Sequence, residues 1–181
     1  MTGLRHCGNS TGLMTLINIS YKFMATITLN VNGKKHKIET DPATPLIFIL
    51  RNHLGFIGPK LGCGLETCGS CAVLVDGKSE LSCTRAASEF EGKNIITVEG
   101  LSLDGRLSAV QQAFLDEGSA QCGYCTPGMI IAVTSLINQK GKPNNQDINE
   151  ALEKHLCRCG SHANILKAVK KLSDQGQLSD V

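Results

Sequence analysis

Nine cysteines punctuate this chain of 181 residues, and eight of them fall into two groups of four. Cys63, Cys68, Cys71 and Cys83 make a C-x4-C-x2-C-x11-C run, while Cys122, Cys125, Cys157 and Cys159 make C-x2-C-x31-C-x-C. Bridges between such near neighbours would be strained. The stretches between them already carry enough apolar residues to build cores without covalent staples, and residues 1–23 read only weakly as an export signal. The crowding therefore reads as metal ligation rather than a disulfide framework. Cys7 stands outside both groups and receives no role.

The first three cysteines of the earlier group have the plant-type spacing for a [2Fe–2S] cluster held by four thiolates. Gly58, Gly62, Gly64 and Gly69 surround them, as expected where the backbone must wrap closely and aim N–H groups at charged sulfurs. Structural zinc, the competing reading, more often takes C-x2–4-C knuckles on both sides. The later group alone suits tetrahedral zinc as well as a cluster. Thr126-Pro127 and Gly160-Ser161 tilt it toward a cluster, since each can open a helix just after a cysteine pair and turn free N–H groups toward an anionic centre. Ionising eight thiols and adding two oxidised cores of about +2 each takes the formal charge from +2 to about −2. Four protein ligands on each centre leave no position for a substrate, so the expected job is electron passage, with no catalytic residue on this chain.

The rest of the sequence supplies an α+β frame. Ile27, Leu29 and Val31 alternate, Asn32-Gly33 turns the chain, and His36 to Glu39 return as a hairpin. Thr44 and Pro45 read as N-cap and first position of a helix carrying Leu46, Ile49, Leu50 and Leu54, which Gly55 stops. Ala72–Val75 and Ser79–Ser82 flank Asp76-Gly77 in a second hairpin that delivers Cys83, and Ile95–Val98 is a last strand. These predict one compact domain over residues 24–100. Past Gly100 the apolar spacing becomes helical: Leu107, Val110, Phe114 and Leu115, then Met129, Ile130, Val133, Leu136 and Ile137, then Ile148, Leu152 and Leu156, then Ile165, Leu166, Val169 and Leu172. Four short helices over residues 101–175 are expected to pack as an all-α bundle. Residues 1–23 read as a disordered extension before an alternative start at Met24, and residues 176–181 as a frayed tail.

Other function classes drop out. A net charge of +2 is far from the basic excess of a phosphate-tracking surface, so no nucleic-acid partner is expected. The longest apolar runs, Leu46–Leu50 and Met129–Val133, are much shorter than the roughly 18 residues of a membrane span, and the expected compartment is the cytoplasm. His36, His53, His155 and His162 form no ligand pair or triad, so packing or surface roles are expected for them. Arg158, between two proposed ligands, is placed either to tune a cluster or to meet solvent.

The strings Gly58-Pro59-Lys60-Leu61-Gly62-Cys63-Gly64, Cys68-Gly69-Ser70-Cys71, Gln121-Cys122-Gly123-Tyr124-Cys125-Thr126-Pro127-Gly128 and Leu156-Cys157-Arg158-Cys159-Gly160 closely resemble the iron–sulfur subunit of the molybdenum hydroxylase (xanthine oxidase) family. The likeness is strongest to small subunits of the bacterial aldehyde, isoquinoline, nicotinate and carbon monoxide dehydrogenase types, and covers Met24 to Leu172. It implies a β-grasp ferredoxin domain with an outer [2Fe–2S] cluster and a four-helix domain with an inner one. It also implies a large partner subunit that oxidises substrate at a molybdenum–pterin centre, with electrons leaving through this chain to a flavin subunit or a cytochrome. Gln121 and Cys159 are the positions implied to touch the molybdopterin, Cys159 also as a cluster ligand. Glu66 departs from the small residue many relatives carry there, and Ser161-His162-Ala163-Asn164 replaces a commoner Thr-Tyr-Pro-Arg-like string. A stand-alone ferredoxin and a zinc-stabilised interaction module are the alternatives.

Overall fold

The computed structural model describes residues 24–175; the extension, Cys7 and the frayed tail named above lie outside them. Alternation puts Ile27, Leu29 and Val31 of β1 (Ala25–Val31) on one buried face. Asn32 and Gly33 then both adopt positive φ, 51° and 75°, the requirement of a two-residue hairpin whose twist matches its strands. The chain returns antiparallel as β2 (Lys34–Thr40). Asp76 and Gly77, at 49° and 80°, do the same between β3 (Ala72–Val75) and β4 (Lys78–Leu81). With β5 (Asn94–Ile96) these strands form one mixed sheet in the order β2-β1-β5-β3-β4, β5 running parallel to β1 and antiparallel to β3.

Two expectations are corrected by non-local hydrogen bonds. Pro45 is not helical; it is extended (φ −58°, ψ 138°) and bridges Ala86, because the N–H groups of Leu46 and Ile47 donate to the carbonyls of Arg85 and Ser82. The helix therefore begins as α1 (Leu46–Phe48) and widens into a π-helical turn over Ile49–His53, with no side-chain cap from Thr44. The last strand stops at Ile96 rather than Val98. There the Asn32 side chain accepts the Thr97 N–H at 2.9 Å and donates to the Thr97 hydroxyl at 3.0 Å, and a 3-10 turn over Val98–Leu101 follows.

Helices α2 (Ala109–Asp116), α3 (Thr126–Lys140), α4 (Asn145–Leu152) and α5 (His162–Gln175) complete the structure. Among the described residues no helix is long and apolar enough to cross a membrane. Capping boxes at Ser108/Gln111 and Asn144/Asp147 start α2 and α4 by satisfying N–H groups that have no helical partner. The stripes are narrower than expected: Leu107 precedes α2, Leu156 lies beyond α4, and both are exposed, as is Leu115. α2 packs along α5, and α3 packs against α2 and α4, yet α3 also lies on β3 and β4. That explains why residues 128–137 are buried on every side of α3.

Strand β3 links the two halves. Its four residues are all buried, as a strand covered on both faces should be. Side chains alternate across the sheet, so Val73 and Val75 join Leu29, Leu50 and Phe90 on one side, while Ala72 and Leu74 join Phe114, Met129 and Ile165 on the other. Each fully buried Val or Leu contributes about 1.5–3 kcal/mol from water exclusion. Half of β3 thus stabilises the sheet side and half stabilises the helices.

Candidate metal centres

The earlier cysteine group lies on the loop before β3 and at the far end of β4. Its four thiols come as two pairs. Cys63 pairs with Cys68: the Cys63 N–H donates to Cys68 Sγ at 3.3 Å, and the Leu65 and Thr67 N–H groups donate to Cys63 Sγ at 3.3 Å. The Thr67 hydroxyl, the Leu65 and Thr67 N–H groups and the Cys68 thiol pull the Cys63 thiol down to about 6 against a burial penalty, so this sulfur is held ready as a thiolate. Gly62 is required here, since a Cβ on it would sit 2.6 Å from Cys68 Sγ. Cys71 pairs with Cys83 across the base of the β3–β4 hairpin, both buried. Burial pushes the Cys71 thiol up to about 12, opposed by the N–H groups of Ser82 and Cys83. Without a positive partner, the Cys71 thiol stays protonated.

The later group is assembled from two segments that precede α3 and α5. Cys122 pairs with Cys159 and Cys125 with Cys157, so each pair crosses between the segments. Cys125 is itself the N-cap residue of α3, and Pro127 occupies its first turn. Burial, reinforced by the Cys157 thiol, pushes Cys125 up to about 12. Burial acts the same way on Cys157, but the Cys159 and Ser161 N–H groups and the Cys125 thiol outweigh it and hold Cys157 below the usual thiol range. Cys122, exposed, is lowered chiefly by the Tyr124 N–H. Ser161 opens α5 through its carbonyl, which accepts the Asn164 and Ile165 N–H groups.

The two groups meet along a narrow seam. The Leu156 N–H donates to the Cys68 carbonyl at 3.1 Å, and the Tyr124 hydroxyl donates to the Leu61 carbonyl at 2.7 Å. A Cβ on Gly128 would lie 2.1 Å from the Gly69 carbonyl oxygen, and one on Gly69 would lie 2.2 Å from His155 Nδ1. Only glycine permits either approach.

This donor set fits binuclear iron–sulfur clusters. Two thiol pairs per site, with N–H donors aimed at sulfur, match a two-iron core in which each iron takes two thiolates. Likeness to known proteins agrees. A 2Fe-2S iron-sulfur cluster binding domain family matches residues 28–107, and a [2Fe-2S] binding domain family matches residues 97–170. A nicotinate dehydrogenase subunit of Pseudomonas putida is 45% identical over 82% of this chain and 95% of its own length. The xanthine dehydrogenase iron-sulfur-binding subunit of Escherichia coli O157:H7 is 40% identical over 80% of this chain and 91% of its own. In structure, a chain of quinoline 2-oxidoreductase from Pseudomonas putida 86 superposes with a TM-score of 0.82 at 33% identity, covering 88% of this chain and all of that one. The chain belongs to the iron–sulfur small subunits of the molybdenum hydroxylase family.

In this iron–sulfur subunit Gln121 is exposed beside Cys122, and Cys159 is partly exposed, so the outer edge of the later site faces solvent. Arg158 also points outward. Among the described residues no histidine joins either cysteine group, but His155, only 8% exposed, packs against Gly69 with its Nδ1 lacking a hydrogen-bond partner. Burial lowers its pKa to about 4. A packing role is what the sequence implies for it; its place at the seam is not visible there. The only local hint is a glycine directly after a cysteine, Gly69, whose contact lies 86 residues further on.

Proposed function

We propose that Cys63, Cys68, Cys71 and Cys83 hold one [2Fe–2S] cluster, that Cys122, Cys125, Cys157 and Cys159 hold a second, and that the chain relays electrons from a molybdenum–pterin centre on a large partner subunit to a separate acceptor. The division of labour follows residues 24–100 as a β-grasp ferredoxin-type domain and residues 101–175 as a four-helix cluster-binding domain. The observation that carries this reading is the two-by-two pairing of the eight cysteines, with backbone N–H donors on the sulfurs of Cys63, Cys68, Cys71, Cys122 and Cys157. A bound cluster of this kind takes up and returns one electron at a time.

The protein's own residues then have defined tasks. The Leu65, Thr67 and Ser161 N–H groups stabilise thiolate charge. The Cys68 carbonyl and Leu156 N–H fix the two sites at one spacing through residues that are, or adjoin, proposed ligands. Exposed Gln121 and partly exposed Cys159 are the contacts offered to the partner's molybdopterin. The acceptor is a flavin subunit or a cytochrome, and the complex works in the cytoplasm. Relatives named for nicotinate and for xanthine share this scaffold, so substrate choice belongs to the large subunit.

Metal analysis tests the reading. About four irons and four acid-labile sulfides per chain are expected from two binuclear sites, with two distinguishable paramagnetic signals on reduction. Cys63→Ser removes one signal and Cys125→Ser the other. Two zincs, or an iron-free chain after anaerobic reconstitution, overturns it. Co-purification with a molybdenum-containing chain separates the subunit from a free ferredoxin.

A further inference from the structure

Glu66 stands midway between Cys63 and Cys68 with φ of +57°, a conformation that a side chain disfavours and that Gly64 and Gly69 supply nearby without that penalty. Something must compensate a glutamate there. Its Oε1 accepts a hydrogen bond from the Thr84 hydroxyl, and Thr84 directly follows Cys83. The contact ties the loop that carries the Cys63/Cys68 pair to the strand end that carries Cys83 of the other pair. Among the described residues Glu66 makes no ion pair, although Glu80, Glu89, Asp116, Glu117 and Asp147 do. Its charge is therefore left to act on whatever the thiols hold.

We propose that Glu66 is a positioning residue of the earlier site: it clasps the two thiol pairs together through Thr84, and its carboxylate lowers the midpoint potential of the cluster they hold. This rests on the reading that Cys63, Cys68, Cys71 and Cys83 bind a [2Fe–2S] cluster. One-electron reduction adds negative charge there, and an adjacent uncompensated carboxylate opposes it.

The test compares loaded wild-type complex with Glu66→Gln, Glu66→Gly and Thr84→Val, by potentiometric titration of both paramagnetic signals and by the rate of iron removal with a chelator. Glu66→Gln keeps a carbonyl oxygen for Thr84 and loses the charge. Its earlier site is expected to be about tenfold more reduced at a fixed potential, equivalent to about 59 mV for one electron, with the later site unmoved. Thr84→Val keeps the charge and breaks the clasp, so iron should leave the earlier site several-fold faster. Glu66→Gly relieves the backbone and removes both effects, which keeps folding out of the comparison: it should show the raised potential and the faster iron loss together. An unchanged potential in both Glu66 variants, or an equal shift at the later site, overturns the charge role. Wild-type iron loss in Thr84→Val overturns the clasp. An iron-free wild type sinks the cluster reading itself, a result distinct from either.

Discussion

The two cysteine sites use the same chemistry but are assembled differently. The earlier one is almost local: one loop and one hairpin bring Cys63, Cys68, Cys71 and Cys83 together within a single stretch of chain. The later one exists only when α3, α4 and α5 pack, because each of its thiol pairs takes one cysteine from before α3 and one from before α5. Closing the longer loop costs little extra entropy, since that cost grows only with the logarithm of length. What the later site needs is the helical core. The contrast predicts that damage to helix packing should reach the later site first, while damage to the seam should reach both.

The seam offers the harshest way to break that comparison. In Gly128→Ala the new methyl would meet the Gly69 carbonyl oxygen at 2.1 Å, backbone against backbone, with no flexible side chain to give way. Overpacking of this sort costs about 3 kcal/mol. Gly128 lies three residues after Cys125 and Gly69 one residue after Cys68, so both paramagnetic signals should change shape and the thermal midpoint should fall. Perturbation of the later signal alone would mean that the earlier site tolerates separation from the helices.

Much of this was legible in the sequence, for reasons that differ by element. Asn32-Gly33 and Asp76-Gly77 announced both hairpins because few residue pairs accept two successive positive φ values, and both pairs adopt them. The helical stripes were readable where a single face is buried, as in α5 with Ile165, Val169 and Leu172. Reading failed where distant residues decide. Pro45 stays extended because Ala86 and Arg85 bind the chain there, and Leu156 leaves the α4 face to hydrogen-bond Cys68. Cysteine spacing pointed to metal chemistry, but the crossing of the later pairs depends on how α3 and α5 pack. Neither the Gly69–Gly128 approach nor the Glu66–Thr84 clasp has any signature in spacing.

His155 sharpens the comparison through pH. It belongs to the segment leading to Cys157 yet presses on the loop of the earlier site. Burial lowers its pKa to about 4 from an ordinary 6.5, so the folded chain holds it neutral while the unfolded chain accepts a proton first. Stability is therefore flat above about pH 6.5 and falls as pH drops toward 4, with about 2 kcal/mol lost by pH 5. Chemical unfolding at pH 7 and pH 5 measures the slope. His155→Gln should remove most of it, and an unaltered slope in that variant would assign the acid sensitivity to other groups.

The smallest expected effect isolates the helices from the loop. Asn144 caps α4 by accepting the Gln146 and Asp147 N–H groups at 2.8 and 3.0 Å. Asn144→Ala leaves both N–H groups without that partner and costs about 1 kcal/mol, whereas Asn144→Gly costs only a few tenths. α4 packs on α3 and feeds the chain toward Cys157, but it contributes nothing to the loop around Cys63. A chelator should then strip iron slightly faster from the later site in the alanine variant, while the earlier site keeps its wild-type rate. Equal acceleration at both sites would show that the seam transmits even small losses of helix stability, and that the locality of the earlier site gives it no independence in the loaded protein.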